Sequence, residues 1–189
     1  FPFVTSSNTI SAGVCTGLGV APNKIGEIIG VTKAYCTRVG SGPFPTELFD
    51  ETGEKLRKIG SEFGATTGRP RRCGWIDLVA LKFACMVNGI TQIVMTKADV
   101  LDPFTELKVC TAYEINGQRT EAVPFQMNKL DLKPVYQDFK GWSTPVSECK
   151  QWADLPVEMS NYLSFIHKYL GVEVKYVSNG PGRDQIVFQ

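Results

Sequence analysis

One apolar stretch in the middle of the chain constrains the fold more than any other part of the sequence. Residues 76–89 (IDLVALKFACMVNG) predict a largely apolar helix, with Asp77 near its start and Gly89 just past its end. Residues 90–97 (ITQIVMTK) contain a short apolar run, which is typical of a strand buried on both faces of a parallel sheet. Helix, glycine, buried strand and polar loop, in this order, indicate an α/β fold with a largely parallel sheet and flanking helices.

Other segments carry helix and strand signals of their own. Two more helices are predicted, over residues 46–64, where the pattern stops at Gly64, and over 154–171, where it stops at Gly171. The dipeptide Asn116-Gly117 predicts a hairpin with a type I′ turn. The remaining expectations are a short helix near residues 21–30, strands over 31–40, 172–180 and 186–189, and an irregular segment over 127–152.

Composition and charge place the chain among soluble globular proteins with one domain. Its 189 residues are 43% apolar and 21% charged, and the formal net charge is +1. This near balance argues against a dedicated nucleic-acid binder, which usually carries a basic excess. No apolar run approaches the length of a membrane span. The chain begins FPFV, without Met, and we expect it to be part of a longer protein.

Residue types that bind metals or shuttle protons are sparse. The six cysteines are scattered without a CxxC pair, so we expect no zinc site and no disulfide framework, but reduced, mostly buried thiols in a cytoplasmic protein. The one histidine, His167, lies in a predicted helix, where we expect an exposed or partly buried position; no Ser-His-Asp triad is then expected, because there is no second histidine. The glycines of SNGPGR (178–183) follow a strand, but no GxxxxGK[ST] or GxGxxG phosphate loop occurs anywhere.

Residues 96–102 (TKADVLD) stand where the predicted buried strand ends, and ligands of open α/β sheets bind at the carboxyl ends of strands. The Asp99 carboxylate can accept two hydrogen bonds from the N1–H and 2-amino group of guanine, while the Lys97 stem lies over the base. Adenine offers no matching donors and would leave a buried carboxylate unpaired. A solvated loop of mixed charge is the alternative, because such short matches are common by chance.

Residues 64–75 (GATTGRPRRCGW) bring three arginines together between glycines, threonines and a proline. Arginine forms bidentate pairs with carboxylates and phosphates, and Gly68 and Pro70 restrict where the guanidinium groups point. Thr66 and Thr67 add hydroxyl groups. A site for a dicarboxylic acid or a phosphate fits this pattern. A surface basic patch and a nucleic-acid contact are the alternatives.

Six motifs in their order and spacing make the chain resemble the adenylosuccinate synthetase family along essentially its whole length. They are VTSSNT (4–9), TRVGSGPFPTEL (37–48), GATTGRPRRCGWIDL (64–78), TKADVLD (96–102), PVYQDFKGW (134–142) and SNGPGRDQ (178–185). The chain resembles only the carboxy-terminal half of that family, so residues 1–189 are expected to be part of its single, P-loop-NTPase-like domain, incomplete without the amino-terminal half. Two positions depart from the family pattern: Ala98 replaces a larger apolar residue, and Asn179 replaces threonine.

The resemblance implies a GTP-dependent ligase. Its members transfer the γ-phosphate of GTP to O6 of IMP, and L-aspartate then displaces that phosphate to give adenylosuccinate, with Mg²⁺ assisting. Carried over to this sequence, the implied roles are guanine binding for Lys97, Asp99, Ser178 and Gly180, aspartate binding for Thr66, Thr67, Gly68, Arg69 and Arg71, and IMP binding for Thr5, Val39 and Arg69. The resemblance also implies a cytoplasmic homodimer that binds neither nucleic acid nor membrane.

The family's catalytic aspartate, catalytic histidine, phosphate loop and Mg²⁺ ligands have no counterpart in these residues. We therefore expect the chain alone to be inactive, with no catalytic and no metal-binding residue of its own. Two other functions stay open from the sequence. One is a non-catalytic module that binds guanine nucleotides, and the other is a nucleic-acid binder built on the RPRR segment.

Overall fold

A computed structural model describes residues 7–189 as helices and strands in mixed order. The α-helices in this range are α1 (Gly13–Leu18), α2 (Glu51–Ile59), α3 (Leu78–Asn88) and α4 (Val157–Leu170). The strands are β1 (Ile29–Lys33), β2 (Cys36–Arg38), β3 (Arg72–Gly74), β4 (Ile76–Asp77), β5 (Gln92–Thr96), β6 (Glu106–Ile115), β7 (Gln118–Thr120), β8 (Leu132–Lys140), β9 (Glu173–Ser178) and β10 (Ile186–Phe188). Short 3-10 turns cover Pro22–Lys24, Ala98–Leu101, Met127–Lys129 and Trp152–Asp154.

The first sheet has the strand order β1-β5-β9-β10 and confirms the predicted parallel α/β core. Strands β1, β5 and β9 are parallel, and only β10 runs antiparallel to its neighbour. The central strand β5 buries Ile93 and Met95, as its apolar sequence predicts. Because the three parallel strands run the same way, their carboxyl ends meet at one edge of the sheet. Strand β1 lies at the side of this sheet, and its Val31 is 71% exposed.

The long strand β6 organises a second sheet, in which it pairs with β4, β7 and β8. The predicted hairpin is confirmed, because β6 and β7 pair antiparallel and both turn residues have positive φ, 52° at Asn116 and 77° at Gly117. The prediction of an irregular segment over 127–152 is wrong for residues 132–140, since β8 pairs with β6 along nine residue pairs. Pro134 weakens the strand signal, and this proline is tolerated because β8 pairs with no other described strand.

Three other sequence-based predictions require correction. The segment predicted as one strand over 31–40 forms two strands, β1 and β2, because Ala34 and Tyr35 turn inward between them and are buried. The helix expected near residues 21–30 is a single 3-10 turn, and α1 lies earlier in the chain. The helix α2 ends before Gly60 rather than at Gly64, which leaves residues 61–64 free to form other contacts.

Helices α3 and α4 cover the sheets and close the core. Asp77 caps α3 by accepting hydrogen bonds from the backbone amides of Val79 and Ala80, and Gly89 ends it at φ 61°, as predicted. Helix α4 ends at Gly171, also as predicted. It buries one apolar face in the core, consisting of Met159, Tyr162, Leu163, Ile166 and Leu170. None of the helices in residues 7–189 is long and apolar enough to cross a membrane.

The cysteines and the histidine occupy ordinary structural positions. All six cysteines are free thiols, and Cys73, Cys85 and Cys110 are buried. Burial raises the pKa of the Cys36 thiol to about 12, so this thiol stays protonated at neutral pH. His167 lies on the exposed face of α4.

Asp77 should contribute strongly to stability. Its carboxylate also accepts a hydrogen bond from the Tyr113 hydroxyl, at 2.6 Å, which joins α3 to β6. Asp77→Ala removes the helix cap and leaves a buried hydroxyl unpaired, so we expect the free energy of unfolding to fall by about 2–4 kcal/mol. Urea denaturation measures this change. Tyr113→Phe, which keeps the cap, should lose less, and equal losses would mean that the cap contributes little.

Candidate functional site

The predicted guanine-binding residues lie at the carboxyl edge of the first sheet. Lys97 directly follows β5, and Ser178 is the last residue of β9. Strands β5 and β9 pair with Met95 opposite Val177, so the segments that follow them leave the sheet at the same level. The predicted residues after β5 and after β9 are therefore brought together, although they are about 80 positions apart in the sequence.

The loop after β5 has an unusual backbone and a well-anchored lysine. Lys97 adopts a left-handed conformation, with φ 58° and ψ 34°, which is uncommon for a residue with a side chain. Its Nζ donates a hydrogen bond to the Gly60 carbonyl oxygen at 2.6 Å. Ala98 is fully buried, and Asp99 is half-buried at the start of the 3-10 turn. The Lys97 side chain is thus held at its end, and Asp99 lies half-buried two residues further on.

A chain of hydrogen bonds joins the loops after β5 and β9. Asp102 accepts from the Trp142 indole at 2.7 Å and from the Val146 amide at 3.2 Å. The Asn179 amide group donates to the carbonyl oxygens of Val146, at 2.6 Å, and Cys149, at 3.0 Å. Burial raises the pKa of the Asp102 carboxyl group, and the bonds it accepts offset part of this rise. The loop between Trp142 and Cys149 therefore acts as a brace between the two strand ends.

The turn after β9 is closely packed. Ser178 Oγ donates to the Gly180 carbonyl oxygen at 3.1 Å, and a Cβ at Gly180 would come within 2.4 Å of the Gln185 side chain. Asn179 is fully buried, and its Oδ1 has no hydrogen-bond partner among the described residues. The amide of Asn179 thus fixes the turn that carries Ser178 and Gly180.

The predicted arginine loop is a narrow hairpin-like turn. Its two sides are joined by backbone hydrogen bonds from Gly64 N to Arg69 O, at 2.8 Å, and from Arg71 N to Glu62 O, at 2.9 Å. At the tip, Gly68 has φ 63° and donates to the Gly64 carbonyl oxygen at 2.8 Å. The tip residues Thr66, Thr67 and Gly68 are exposed. A fixed base and an exposed tip leave this loop able to meet a ligand.

The three arginines have three different environments. Arg69 is exposed, and no side-chain partner for it is found in residues 7–189. Arg71 Nη1 donates to Glu62 Oε2 at 2.7 Å, at the base of the loop. Arg72 forms a bidentate pair with Glu47 and also donates to the carbonyl oxygens of Gly40 and Gly42, in the turn after β2, so its donors are used within the fold. The geometry therefore separates Arg72 from the other two as a structural residue.

Glu62 connects the two predicted sites, and the sequence analysis did not identify it. Its side chain is fully buried, and its Oε1 accepts hydrogen bonds from Lys33 Nζ and from the Tyr35 hydroxyl, both at 2.6 Å. Lys97 Nζ lies 3.8 Å from the same oxygen, while Arg71 contacts the other. Burial by itself raises the pKa of Glu62, but these hydrogen bonds outweigh it and lower the pKa below its ordinary value.

The predicted IMP-binding residues are only partly described. Thr5 lies outside the described residues. Val39 is 74% exposed and directly follows β2. The β2–β3 pairing ends with Arg38 opposite Arg72. Val39 and Arg71 are each the next residue beyond this last pair.

The described residues contain no cluster of metal-binding side chains. Across residues 7–189 no group of three or more His, Cys, Asp or Glu side chains is placed to hold a metal ion. A cleft of about 640 Å³ lies elsewhere, between α2 and the start of β6, and includes none of the predicted site residues. The candidate site is an open edge of the sheet.

The fold and this edge define an α/β protein with polar loops gathered where parallel strands end. A family model described as adenylosuccinate synthetase matches residues 1–187, and the chain belongs to this family. Curated adenylosuccinate synthetases from Azobacteroides pseudotrichonymphae and Bacteroides fragilis are 57% and 53% identical to it over 189 residues. The matches cover 100% of this chain but 45% and 44% of those proteins, so the chain spans less than half of their length.

A solved structure agrees with this assignment. The structure of fully ligated adenylosuccinate synthetase from Plasmodium falciparum superimposes with a TM-score of 0.95 at 37% identity. The superposition covers 100% of this chain and 46% of that protein. The architecture of β1 to β10 is therefore that of the corresponding part of the family.

The pH dependence of stability should report on Glu62. Because its folded pKa lies below the ordinary value of 4.5, the ionised carboxylate stabilises the fold above that pH, and this contribution is lost as the pH falls through the folded pKa. We expect the difference in unfolding free energy between the native protein and Glu62→Gln to shrink as the pH drops below about 4.5. Urea denaturation across this range measures it. A difference that stays constant would show that ionised Glu62 does not stabilise the fold.

Proposed function

We propose that the protein is a GTP-dependent ligase that joins IMP and L-aspartate to give adenylosuccinate, and that this chain is the carboxy-terminal part of it. One observation carries the proposal beyond family membership. The predicted guanine-binding loop and the predicted aspartate-binding loop converge on one buried carboxylate, Glu62, through Lys97 and Arg71. Contact of both loops with the same carboxylate supports the view that they belong to one active site.

Guanine recognition falls to the edge formed by the loops after β5 and β9. Asp99 accepts from N1–H and the 2-amino group of guanine, and the anchored stem of Lys97 covers the base. Ser178 and Gly180 face the base from the neighbouring turn. The half-buried position of Asp99 supports this assignment, because a partly desolvated carboxylate discriminates strongly against a base without matching donors.

Aspartate binding falls to the arginine loop. Arg69 and Arg71 hold the two carboxylates of L-aspartate, and Thr66, Thr67 and Gly68 shape the tip that closes over the ligand. The exposed Arg69, free of internal ion pairs among the described residues, supports a role in gripping a ligand. Closure excludes water, which matters because IMP phosphorylated at O6 is readily hydrolysed. Arg69 also contacts the IMP ribose, with Thr5 and Val39 lining the IMP pocket.

The acid–base and phosphate chemistry of the reaction belongs outside this chain. Transfer of the γ-phosphate of GTP to O6 of IMP needs a base, a phosphate loop and Mg²⁺. His167 is not suited to be this base, because it lies exposed on α4. We assign these groups to the remainder of the protein, together with the ligands of Mg²⁺. The whole enzyme is proposed to be a cytoplasmic homodimer that binds neither nucleic acid nor membrane.

An activity assay tests the proposal directly. The chain should form no adenylosuccinate from IMP, L-aspartate and GTP by itself, because the catalytic groups are outside it. Joined to the complementary amino-terminal part of the Bacteroides fragilis relative, it should form adenylosuccinate and release GDP and phosphate. Folded fusion protein that binds GDP without any turnover would contradict the ligase and favour a non-catalytic guanine-nucleotide-binding module.

Asp99→Asn should change the preferred nucleotide of the active fusion. Guanine loses its paired hydrogen bonds to a carboxylate and keeps at most one to the amide oxygen, while the amide NH₂ faces a guanine donor, so kcat/KM for GTP should fall by roughly a hundredfold. Xanthosine triphosphate should become the better substrate, because the amide donates to the xanthine carbonyl while still accepting from N1–H. Steady-state kinetics with both nucleotides measure the change. Asp138→Asn, at an exposed carboxylate of β8, is the control, and an unchanged GTP preference in Asp99→Asn would remove Asp99 from base recognition.

A further inference from the structure

Glu62 is a charged side chain with no exposure, and such burial needs a reason. An isolated buried carboxylate is strongly unfavourable unless it is paired and hydrogen-bonded. Glu62 meets this requirement with three donors at 2.6–2.7 Å, from Lys33, Tyr35 and Arg71. Two of these donors belong to the sheet edge, and the third belongs to the arginine loop.

The two oxygens of Glu62 face different parts of the structure. Oε1 accepts from Lys33, the last residue of β1, and from the buried Tyr35, so the frame of the sheet holds this oxygen. Lys97, just after β5, lies 3.8 Å from it. Among residues 7–189, Arg71 is the side chain that contacts Oε2. The sheet edge thus fixes the carboxylate of Glu62 through Oε1, and the carboxylate holds the arginine loop through Oε2.

Arg71 keeps part of its guanidinium available after this contact. Only its Nη1 donates to Glu62, and its side chain is 31% exposed. Arginine carries five donors in a rigid, planar arrangement, so holding one nitrogen fixes the direction of the others. Its backbone is pinned as well, because Arg57 donates to the Arg71 carbonyl oxygen at 2.8 Å.

We propose that Glu62 is the positioning residue that aims Arg71 at the carboxylates of L-aspartate. This inference rests on the proposed function. Glu62 touches no substrate and acts through Arg71, which it holds at the base of the loop in the orientation that binding requires. Pre-orientation spares the cost of ordering a long side chain when the ligand arrives.

Glu62→Gln in the active fusion separates positioning from a purely structural role. The amide has the same shape, and its oxygen stays with the donors Lys33 and Tyr35, so its NH₂ group turns toward Arg71 and removes the acceptor. We expect the KM for L-aspartate to rise roughly tenfold, while kcat and the KM values for GTP and IMP change less than about threefold. A loss of stability with an unchanged aspartate KM would overturn the proposal.

A matched control lies at the next arginine. Glu47 holds Arg72 by two hydrogen bonds, whereas Glu62 holds Arg71 by one, and both arginines are about one-third exposed, at 29% and 31%. Glu47→Gln should leave the aspartate KM within about twofold, since Arg72 is a structural residue. A rise equal to that of Glu62→Gln would show that any broken ion pair in this region has the same effect, and would overturn the proposal.

A double-mutant cycle tests whether Glu62 acts through Arg71. In an Arg71→Gln background, Glu62→Gln should raise the aspartate KM no further, because the group it positions is already gone. Independent, multiplying effects would contradict the proposal. If Glu62→Gln does not fold, Tyr35→Phe removes one holding donor without changing charge, and we expect a rise in aspartate KM of roughly two- to threefold. An unchanged KM in folded Tyr35→Phe would count against it.

The same assay distinguishes two kinds of failure. A folded, unmodified fusion that forms no adenylosuccinate contradicts the proposed function. An active fusion whose Glu62→Gln variant keeps the native aspartate KM contradicts only the positioning role of Glu62.

Discussion

The parallel pairing of β1, β5 and β9 is the constraint on which the rest of the structure depends. It brings the carboxyl ends of three distant segments to one edge, with Lys33, Thr96 and Ser178 as the last residues of the strands. The backbone there has left the sheet, so its polar groups and those of the flanking side chains are free to serve other contacts. The residues proposed to bind guanine lie at the ends of two of these strands, and Lys33, at the end of the third, holds Glu62 and through it Arg71.

The charged side chains at this edge surround one buried carboxylate, that of Glu62. Lys33, Lys97 and Arg71 bring three positive charges close to the carboxylate of Glu62, and these groups keep a net positive charge even when Asp99 at the same edge is counted. Attraction of anionic ligands follows from such an excess. The carboxylate of Glu62 thus fixes the positions of these cations without neutralising all of their charge.

The sequence predicts the local elements well and the long-range contacts poorly. Helix α3, strand β5 and the Asn116-Gly117 hairpin were correct, because a cap, an apolar run and a turn dipeptide act within a few residues. Strand β8 was missed, since only its partner β6 makes a proline-containing, half-exposed segment extended. Glu62 was missed for the same kind of reason. Its neighbours in sequence resemble the end of an amphipathic helix, and its donors come from distant positions.

The exposed side of β1 has a practical consequence for work with the chain. Its outer backbone edge pairs with no described strand, and Val31, 71% exposed, sits on it beside the half-exposed Ile29. An open, apolar strand edge is a template for adding another strand from a neighbouring molecule. A concentrated preparation of the chain would therefore aggregate through pairing of these strand edges. Added salt would do little to prevent this aggregation, because the attraction is not between charges.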